Sequence, residues 1–133
     1  MQDFLMHDNG VKKIIYSSDL HKYIVLDEYS SFIKIYDDNM KMVTKFEPNK
    51  DKHNKKHHHI LTFDYDEFGS KLGIAQSDRT FSIIHLGNFL SAPSEDAFRS
   101  VFLNEIIYKS NSVINKIYFV SMMNKWLCID QSN

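Results

Sequence analysis

The chain of 133 residues contains little cysteine, proline or glycine and no long apolar segment. Cys128 is the single cysteine, so an internal disulfide is impossible and a disulfide-stabilised secreted domain is excluded. Four glycines and two prolines exclude collagen-like and flexible linker sequences. No apolar run approaches the roughly 18 residues that a membrane-spanning helix needs, and the N-terminal residues do not resemble a secretory signal. These absences predict a cytoplasmic protein that has no membrane partner.

The charge of the chain is almost balanced, with 16 basic and 17 acidic residues and a formal net charge of -1. This balance excludes a strongly basic nucleic-acid clamp and an acidic disordered tail, but it does not exclude local charged patches. The length and the hydrophobic fraction of 43% are typical of a soluble domain that can bury its own core.

Apolar residues recur with a period of two or in short runs rich in Ile, Val, Tyr and Phe. Strands that follow one another without crossover helices pair in antiparallel fashion, so the sequence predicts an all-β fold. The one exception is a short helix predicted over residues 94–102, with Ser94 as its N-cap. The predicted strands are 12–17, 22–27, 32–37, 42–47, 60–65, 72–77, 80–86, 114–120 and 125–130.

One pattern of three apolar positions followed by a lysine occurs three times along the chain. The second copy begins 49 residues after the first, and the third begins 54 residues after the second. The copies are Val11-x-x-Ile14-x-Tyr16 with Lys22, Ile60-x-x-Phe63-x-Tyr65 with Lys71, and Ile114-x-x-Ile117-x-Phe119 with Lys125. Each copy predicts a strand, a tight turn and a second strand, which must stack on a neighbouring copy to bury both apolar faces.

These copies resemble WD40 repeats, the four-stranded blades of a β-propeller. In the middle copy Asp78 and Thr80 match the family's turn between the second and third strands, where the aspartate holds backbone amides. In the first copy Tyr36 and Asp37 occupy the place of the family's Trp-Asp pair, and His7 matches its histidine. No copy contains the Trp-Asp pair itself, so the repeats are divergent.

The resemblance implies antiparallel four-stranded blades in an incomplete ring of about two and a half blades, as part of a longer protein. The first blade is expected over residues 1–48, followed by an inter-blade loop at 49–58. The second blade covers 59–111 with an insertion at 87–111, and the first two strands of a third blade cover 112–133.

The inter-blade loop and two turns are expected to emerge on one face and to contact a protein partner. The loop carries four lysines against one aspartate, which favours an acidic protein surface, including a tubulin-like one. It contains no arginine or aromatic residue, so sequence-specific nucleic-acid binding is not predicted, and its lysines repel a metal ion. The candidate contact residues are Tyr29, Lys50, Lys52, Lys55, Lys56, His57, Asp78 and Arg79.

The sequence contains no phosphate-binding loop, dinucleotide glycine pattern or nucleophile elbow, so neither catalysis nor a cofactor is predicted. Cys128 lies in an apolar strand and is expected to be a buried, inert thiol. The predicted function is a protein-interaction scaffold in a cytoskeletal assembly, with a cilium or axoneme as its location. The alternatives are an adaptor in trafficking or ubiquitin ligation, and a small β-barrel that binds a ligand or acts as an enzyme.

Overall fold

The computed structural model describes residues 10–48, 59–91 and 106–130. These residues form three antiparallel sheets of four, four and two strands, and their only helix is short. The prediction of an all-β fold with antiparallel four-stranded sheets is therefore confirmed. Because the described strands form three separate sheets and not one closed sheet, the small β-barrel alternative is wrong. No helix in the described ranges is long and apolar enough to span a bilayer.

In each four-stranded sheet the strands are neighbours in the order of the sequence, joined by short turns. The first sheet consists of β1 (Val11–Ser17), β2 (Lys22–Asp27), β3 (Ile33–Tyr36) and β4 (Met42–Phe46). The second sheet consists of β5 (Ile60–Asp66), β6 (Lys71–Gln76), β7 (Thr80–His85) and β8 (Ile106–Lys109), and helix α1 (Leu86–Ser91) follows β7. The third sheet consists of β9 (Ile114–Val120) and β10 (Lys125–Asp130).

The three copies of the sequence pattern share two irregularities of the backbone. In every copy the first and second strands shift register near the start of the first strand, at Val11/Lys13, Ile60/Thr62 and Ile114/Lys116. In every copy the residue before the lysine has a positive φ, which is 54° at His21, 53° at Ser70 and 51° at Asn124. A β-bulge and a left-handed turn residue recur at matching positions, so the three hairpins have the same backbone plan.

The largest core lies between the first and second sheets. Alternate residues of each strand point towards the facing sheet, because side chains on a strand alternate between its two faces. Phe63 is the largest fully buried side chain of this core, and it packs in a cluster with residues of both sheets. The cluster contains Ile24, Leu26, Ile33, Ile35 and Phe46 from the first sheet, and Ile60, Tyr65, Leu72, Ile74, Ile84 and Leu86 from the second segment.

A second, smaller core joins the second and third sheets. It contains Ala75 and Phe81 from the second sheet with Ile114 and Ile117 from the third, and Trp126 packs against it. The indole of Trp126 lies directly on Gly73 of β6, because a Cβ atom at that glycine would be 2.6 Å from Cζ3 of the ring. The absence of a side chain at position 73 therefore lets β10 approach the second sheet.

The first strands of the three sheets contact one another in sequence order. Lys13 of β1 donates a hydrogen bond to the carbonyl of Phe63 in β5, and its ammonium lies 5.2 Å from the centre of the Phe63 ring. One residue further along β5, Asp64 Oδ2 accepts a 2.7 Å hydrogen bond from the backbone N–H of Phe119 in β9. Each stacking step between sheets thus includes a polar contact as well as an apolar core.

Two elements differ from the expectation of the sequence. Helix α1 and strand β8 both lie within residues 87–111 or at their border, where the sequence predicts an insertion and no strand. Strand β8 is the fourth strand of the second sheet, and it pairs with β7 from Thr80↔Lys109 to Ile83↔Ile106. The helix predicted over residues 94–102 lies outside the described residues. The predicted blade boundaries stay predictions.

Candidate protein-interaction surface

His59 and Ile60, at the start of the second sheet, connect two turns on one face of the molecule. The N–H of Ile60, at the start of β5, donates a 2.8 Å hydrogen bond to the carbonyl of Ser30 in the β2–β3 turn. The adjacent His59 accepts a 2.9 Å hydrogen bond at its carbonyl from the N–H of Ser77 in the β6–β7 turn. We call this face, which contains the β2–β3 turn, His59, the β6–β7 turn and the β8–β9 connection, the turn face.

Tyr29 is the most prominent side chain of the turn face. It is 78% exposed, and its ring centre lies 6.4 Å from that of His59 in an edge-on arrangement. Its φ of 60° is in the left-handed region, which is unfavourable for a tyrosine. The hydrogen bond from Ser30 N–H to the Asp27 carbonyl, at 3.3 Å, closes the turn around it. A large aromatic ring is therefore presented to solvent from an ordered turn.

Asp78 and Thr80 form the β6–β7 turn. Asp78 Oδ1 accepts hydrogen bonds from the backbone N–H of Thr80 at 3.2 Å and from its hydroxyl at 2.5 Å. The Thr80 hydroxyl also lies 3.3 Å from Oε1 of Gln76, which is buried. The Asp78 carboxylate thus accepts a hydrogen bond from a backbone amide of its own turn, and this contact stabilises the turn.

Arg79 connects the β6–β7 turn to the segment before β9. Its carbonyl accepts a 2.8 Å hydrogen bond from the N–H of Ser110, and its Nη1 lies 3.4 Å from the carbonyl of Asn111. Its φ is 69°, and its side chain is exposed. Arg79 therefore adds a positive charge to the same face as Tyr29.

The lysine-rich segment predicted as a contact loop lies outside the described residues. This concerns Lys50, Lys52, Lys55, Lys56 and His57. Both residues that flank residues 49–58 are at the turn face: the Pro48 carbonyl accepts a 3.2 Å hydrogen bond from Gln76 Nε2, and His59 contacts Tyr29.

The other positions that the WD40 resemblance indicates lie at the opposite end of the strands or outside the described residues. Tyr36 ends β3 and is buried. Asp37 Oδ1 accepts hydrogen bonds from the N–H groups of Asn39 at 2.8 Å and Lys41 at 3.0 Å, and so holds the β3–β4 turn. His7 lies outside the described residues.

The face opposite the turn face carries a polar cluster that joins the first two sheets. The carboxylate of Asp19, in the β1–β2 turn, is hydrogen-bonded by Tyr65 Oη at 3.1 Å, by Ser70 Oγ at 2.5 Å and by the Ser17 hydroxyl. Burial alone would raise the pKa of Asp19, but the hydrogen bonds from Ser17, Ser70 and Tyr65 outweigh it and lower this pKa.

Replacement of Asp19 by asparagine is expected to reduce the acid sensitivity of the fold. Because the pKa of Asp19 is lowered in the folded chain, its contribution to stability is present above the unfolded pKa of about 3.9 and is lost as the pH falls through the folded value. The difference in urea midpoint between pH 7 and pH 3 should shrink in Asp19→Asn. Asp38→Asn is the comparison variant, because it removes an exposed carboxylate on the same face that accepts a 3.1 Å hydrogen bond from Tyr16. Equal pH slopes for Asp19→Asn and the wild type would contradict this.

Two exposed apolar turn tips lie on this opposite face, and no sequence pattern indicates them. Phe68 in the β5–β6 turn is 91% exposed, and Met122 at the matching position of the β9–β10 turn is 98% exposed. Only their place in a four-residue turn could have indicated exposure, since apolar residues are expected in a core by default. Cys128 is also expected to be buried, but it is exposed, because in the described structure no strand covers the outer edge of β10.

No group of three or more His, Cys, Asp or Glu side chains that could hold a metal ion occurs in the part of the chain that the structure describes. The turn face presents the Tyr29 ring beside His59 and the Arg79 guanidinium, and the Asp78 carboxylate is engaged by Thr80. Such an arrangement can bind an acidic or aromatic surface, and it brings no acid–base pair together.

Solved structures with the same arrangement of sheets are β-propellers. Hsv2 of Kluyveromyces marxianus superposes with a TM-score of 0.51 at 13% identity, over 94% of this chain and 46% of that one. Hsv2 of Kluyveromyces lactis gives a TM-score of 0.51 at 15% identity, over 94% of this chain and 47% of that one. Hsv2 is a seven-bladed β-propeller of the PROPPIN family. The chain has a partial β-propeller fold.

The chain spans about half the length of the Hsv2 structures it matches. At these identities the similarity concerns the fold alone. No family model and no curated protein matches the chain. The propeller part of the resemblance to WD40 repeats is therefore confirmed, and membership of the WD40 family stays a prediction.

Proposed function

We propose that the chain is part of a β-propeller that binds another protein through the turn face, without catalysis. The observation that carries the proposal is Tyr29, a tyrosine that is 78% exposed in an ordered turn beside His59. Tyrosine and arginine are among the residues that most often contribute large binding energies at protein interfaces. Tyr29 and Arg79 are both presented by the turn face.

Preorganisation supports this proposal. The hydrogen bonds from Ile60 to Ser30, from Ser77 to His59 and from Ser110 to Arg79 link all four connections of the turn face. A surface that is already ordered loses little conformational entropy on binding, and this favours affinity. Left-handed backbone at Tyr29 and Arg79 further fixes the direction of both side chains.

The positive charges on and near the turn face lead us to propose an acidic protein surface as the partner. Arg79 lies on the turn face, and the sequence between Pro48 and His59 adds Lys50, Lys52, Lys55 and Lys56 in a segment flanked by two turn-face residues. Tubulin in a cytoskeletal or axonemal assembly of the cytoplasm is the partner we propose. An adaptor in trafficking or ubiquitin ligation is the alternative, and it would use the same face on another acidic protein.

Microtubule co-sedimentation tests the proposal with variants that preserve the turns. Asparagine tolerates positive φ, so Tyr29→Asn and Arg79→Asn remove the side chains without straining the backbone. Each is expected to weaken binding about tenfold, or about 1.4 kcal/mol, because each removes an anchor of the interface. His21→Asn is the matched control, since His21 also has a positive φ but lies on the opposite face.

Binding that is equally strong in the wild type, Tyr29→Asn and Arg79→Asn would contradict the role of the turn face. Absence of wild-type binding to microtubules would contradict tubulin as the partner. Binding should also weaken as the salt concentration rises, because exposed charges are screened.

A further inference from the structure

His59 has a central position on the turn face. Its carbonyl accepts a 2.9 Å hydrogen bond from the N–H of Ser77 in the β6–β7 turn. The N–H of the next residue, Ile60, donates a 2.8 Å hydrogen bond to the carbonyl of Ser30 in the β2–β3 turn. The backbone at the imidazole is therefore held by both turns. The side chain is only partly buried, so a bound partner can contact it.

The imidazole lies beside Tyr29, the main anchor of the turn face. The two ring centres are 6.4 Å apart, and the planes of the rings are inclined by 65°. At physiological ionic strength charges are screened over a Debye length of roughly 8 Å. A charge on His59 is therefore only partly screened from a partner group that contacts Tyr29.

The charge of the turn face depends on pH through this histidine. Between pH 5.5 and 7.5, histidine is the side chain whose charge ordinarily changes. The elements that flank His59 are the β2–β3 turn, the β6–β7 turn and the end of β4. The titratable and charged residues on these elements, or paired with them, are Asp27, Glu28, Tyr29, Lys34, Glu47, Asp78 and Arg79.

Most of the carboxylates near His59 have partners within the fold. The pairs are Asp27 with Lys34 at 2.7 Å, Asp78 with Thr80, and Glu47 with the Ser31 hydroxyl at 3.3 Å. Because the Lys34 ammonium is used in one of these pairs, Arg79 is the positive side chain that the flanking elements present to a partner. Protonation of His59 adds a second positive group, next to the anchor.

We propose that His59 is a proton-dependent contact of the turn face, whose protonated imidazole pairs with a carboxylate of the acidic partner beside Tyr29. An imidazolium donates from both ring nitrogens, and hydrogen bonds between charged groups are roughly twice as strong as neutral ones. The affinity should therefore rise as the pH falls from 7.5 to 5.5. This inference rests on the proposed function, since it needs an acidic partner at the turn face, and it adds the regulation of that binding by protons.

A purely supporting role of His59 predicts a different result. If the ring only held Tyr29 in place, its replacement would weaken binding by the same factor at every pH. If the imidazolium contacts the partner, the loss appears at low pH, and a permanent positive charge at position 59 restores the binding. By linkage, formation of the charged pair also takes up a proton from the solution.

The probe is a fluorescently labelled hexaglutamate peptide, which keeps its charge in this pH range. Its anisotropy is measured with the full 133-residue chain at pH 7.5 and 5.5. The dissociation constant of the wild type should fall about fivefold at the lower pH, the upper end of what an exposed ion pair contributes. That of His59→Asn should change by less than about 1.5-fold, because asparagine carries no charge at either pH.

His59→Lys provides the rescue. A lysine keeps its positive charge at both pH values. This variant should bind hexaglutamate at pH 7.5 within about twofold of the wild type at pH 5.5, and its affinity should not depend on pH. A residue with only a supporting role would not be replaced by lysine with a gain of affinity at pH 7.5.

The other histidines require two controls. The sequence before His59 contains three of them, and the joint replacement of His53, His57 and His58 by asparagine should keep the fivefold change within about twofold. His21→Asn removes an exposed histidine on the opposite face and should keep the whole change.

Two further measurements report on His59 directly. Calorimetry at pH 6.5 in two buffers of different ionisation enthalpy should show proton uptake on binding in the wild type and none in His59→Asn. In the absence of any partner, the NMR signals of the Tyr29 ring should shift with pH in the wild type and not in His59→Asn. Tyr29→Asn identifies these signals by their loss.

Different outcomes separate this inference from the proposed function. Equal wild-type affinity at both pH values, or an equal pH dependence in the wild type and His59→Asn, would overturn the inference and leave the proposed function standing. Loss of the pH dependence on joint replacement of His53, His57 and His58 would do the same. Absence of hexaglutamate binding at both pH values would overturn the inference together with the acidic partner of the proposed function.

Discussion

Replacement of Phe63 by alanine is expected to lower the free energy of unfolding by about 3–5 kcal/mol, the range for deletion of a buried phenylalanine. The Phe63 side chain has no exposed surface and packs between the first and second sheets. Its loss would leave a cavity lined by residues of both sheets, and it would remove the ring over which the Lys13 ammonium lies at 5.2 Å. Because stability in stacked repeats depends on contacts between neighbours, this change should weaken both sheets at once.

Phe68→Ala is the matched control for this experiment. Phe68 is the same residue type, lies five positions further along the chain and is 91% exposed, so its replacement should change the stability by less than about 0.5 kcal/mol. Urea unfolding followed by circular dichroism measures both variants. A similar urea midpoint for Phe63→Ala and Phe68→Ala would show that the first and second sheets do not pack as described.

Replacement of Gly73 by valine is expected to destabilise the contact between the second and third sheets by about 1–3 kcal/mol, the range for overpacking. A Cβ atom at position 73 would be 2.6 Å from Cζ3 and 2.9 Å from Cε3 of Trp126. The indole packs against Phe119 and Phe81, whose ring centres lie 4.9 Å and 5.9 Å away, so its displacement would disturb both contacts. The third sheet should therefore separate from the second.

The emission of Trp126 measures this separation directly. In Gly73→Val the emission should shift to the red, because the indole becomes exposed to water, and Gly73→Ala should show a smaller shift. Gly10→Ala is the control: Gly10 has a φ of 78°, and a Cβ atom there would have no described atom within 4 Å, so the substitution strains the backbone without touching Trp126. Unchanged emission in Gly73→Val would contradict the described packing.

Nine of the ten described strands could be predicted from the sequence, and strand β8 could not. Strands β2, β9 and β10 begin and end where the sequence predicts. Strand β8 (Ile106–Lys109) is short and lies inside residues 87–111, which the sequence predicts as an insertion. Its assignment depends on pairing with β7, which is separated from it in the sequence by helix α1 and residues 92–105.

The common face of the Tyr29 and Asp78 turns also followed from the strand order, since alternate turns of a meander emerge on the same side. The detailed contacts did not. The hydrogen bond from Ser77 to His59 and the edge-on contact of Tyr29 with His59 depend on how one sheet stacks on the next. The distance between two stacked sheets depends on the size of particular side chains. At Gly73, for example, the absence of a side chain lets Trp126 approach. A periodic apolar pattern does not give such distances.

The left-handed turn residue that the three hairpins share shows that backbone shape and residue type are separable in this chain. At His21, Ser70 and Asn124 the φ angles agree within a few degrees, although the three polar residues differ in type and none is glycine. The three hairpins thus have the same turn shape with different residue types. No family model, which compares residue types, matches the chain, whereas superposition of the backbone shows its similarity to a β-propeller. The shape of this turn is therefore not tied to one residue type.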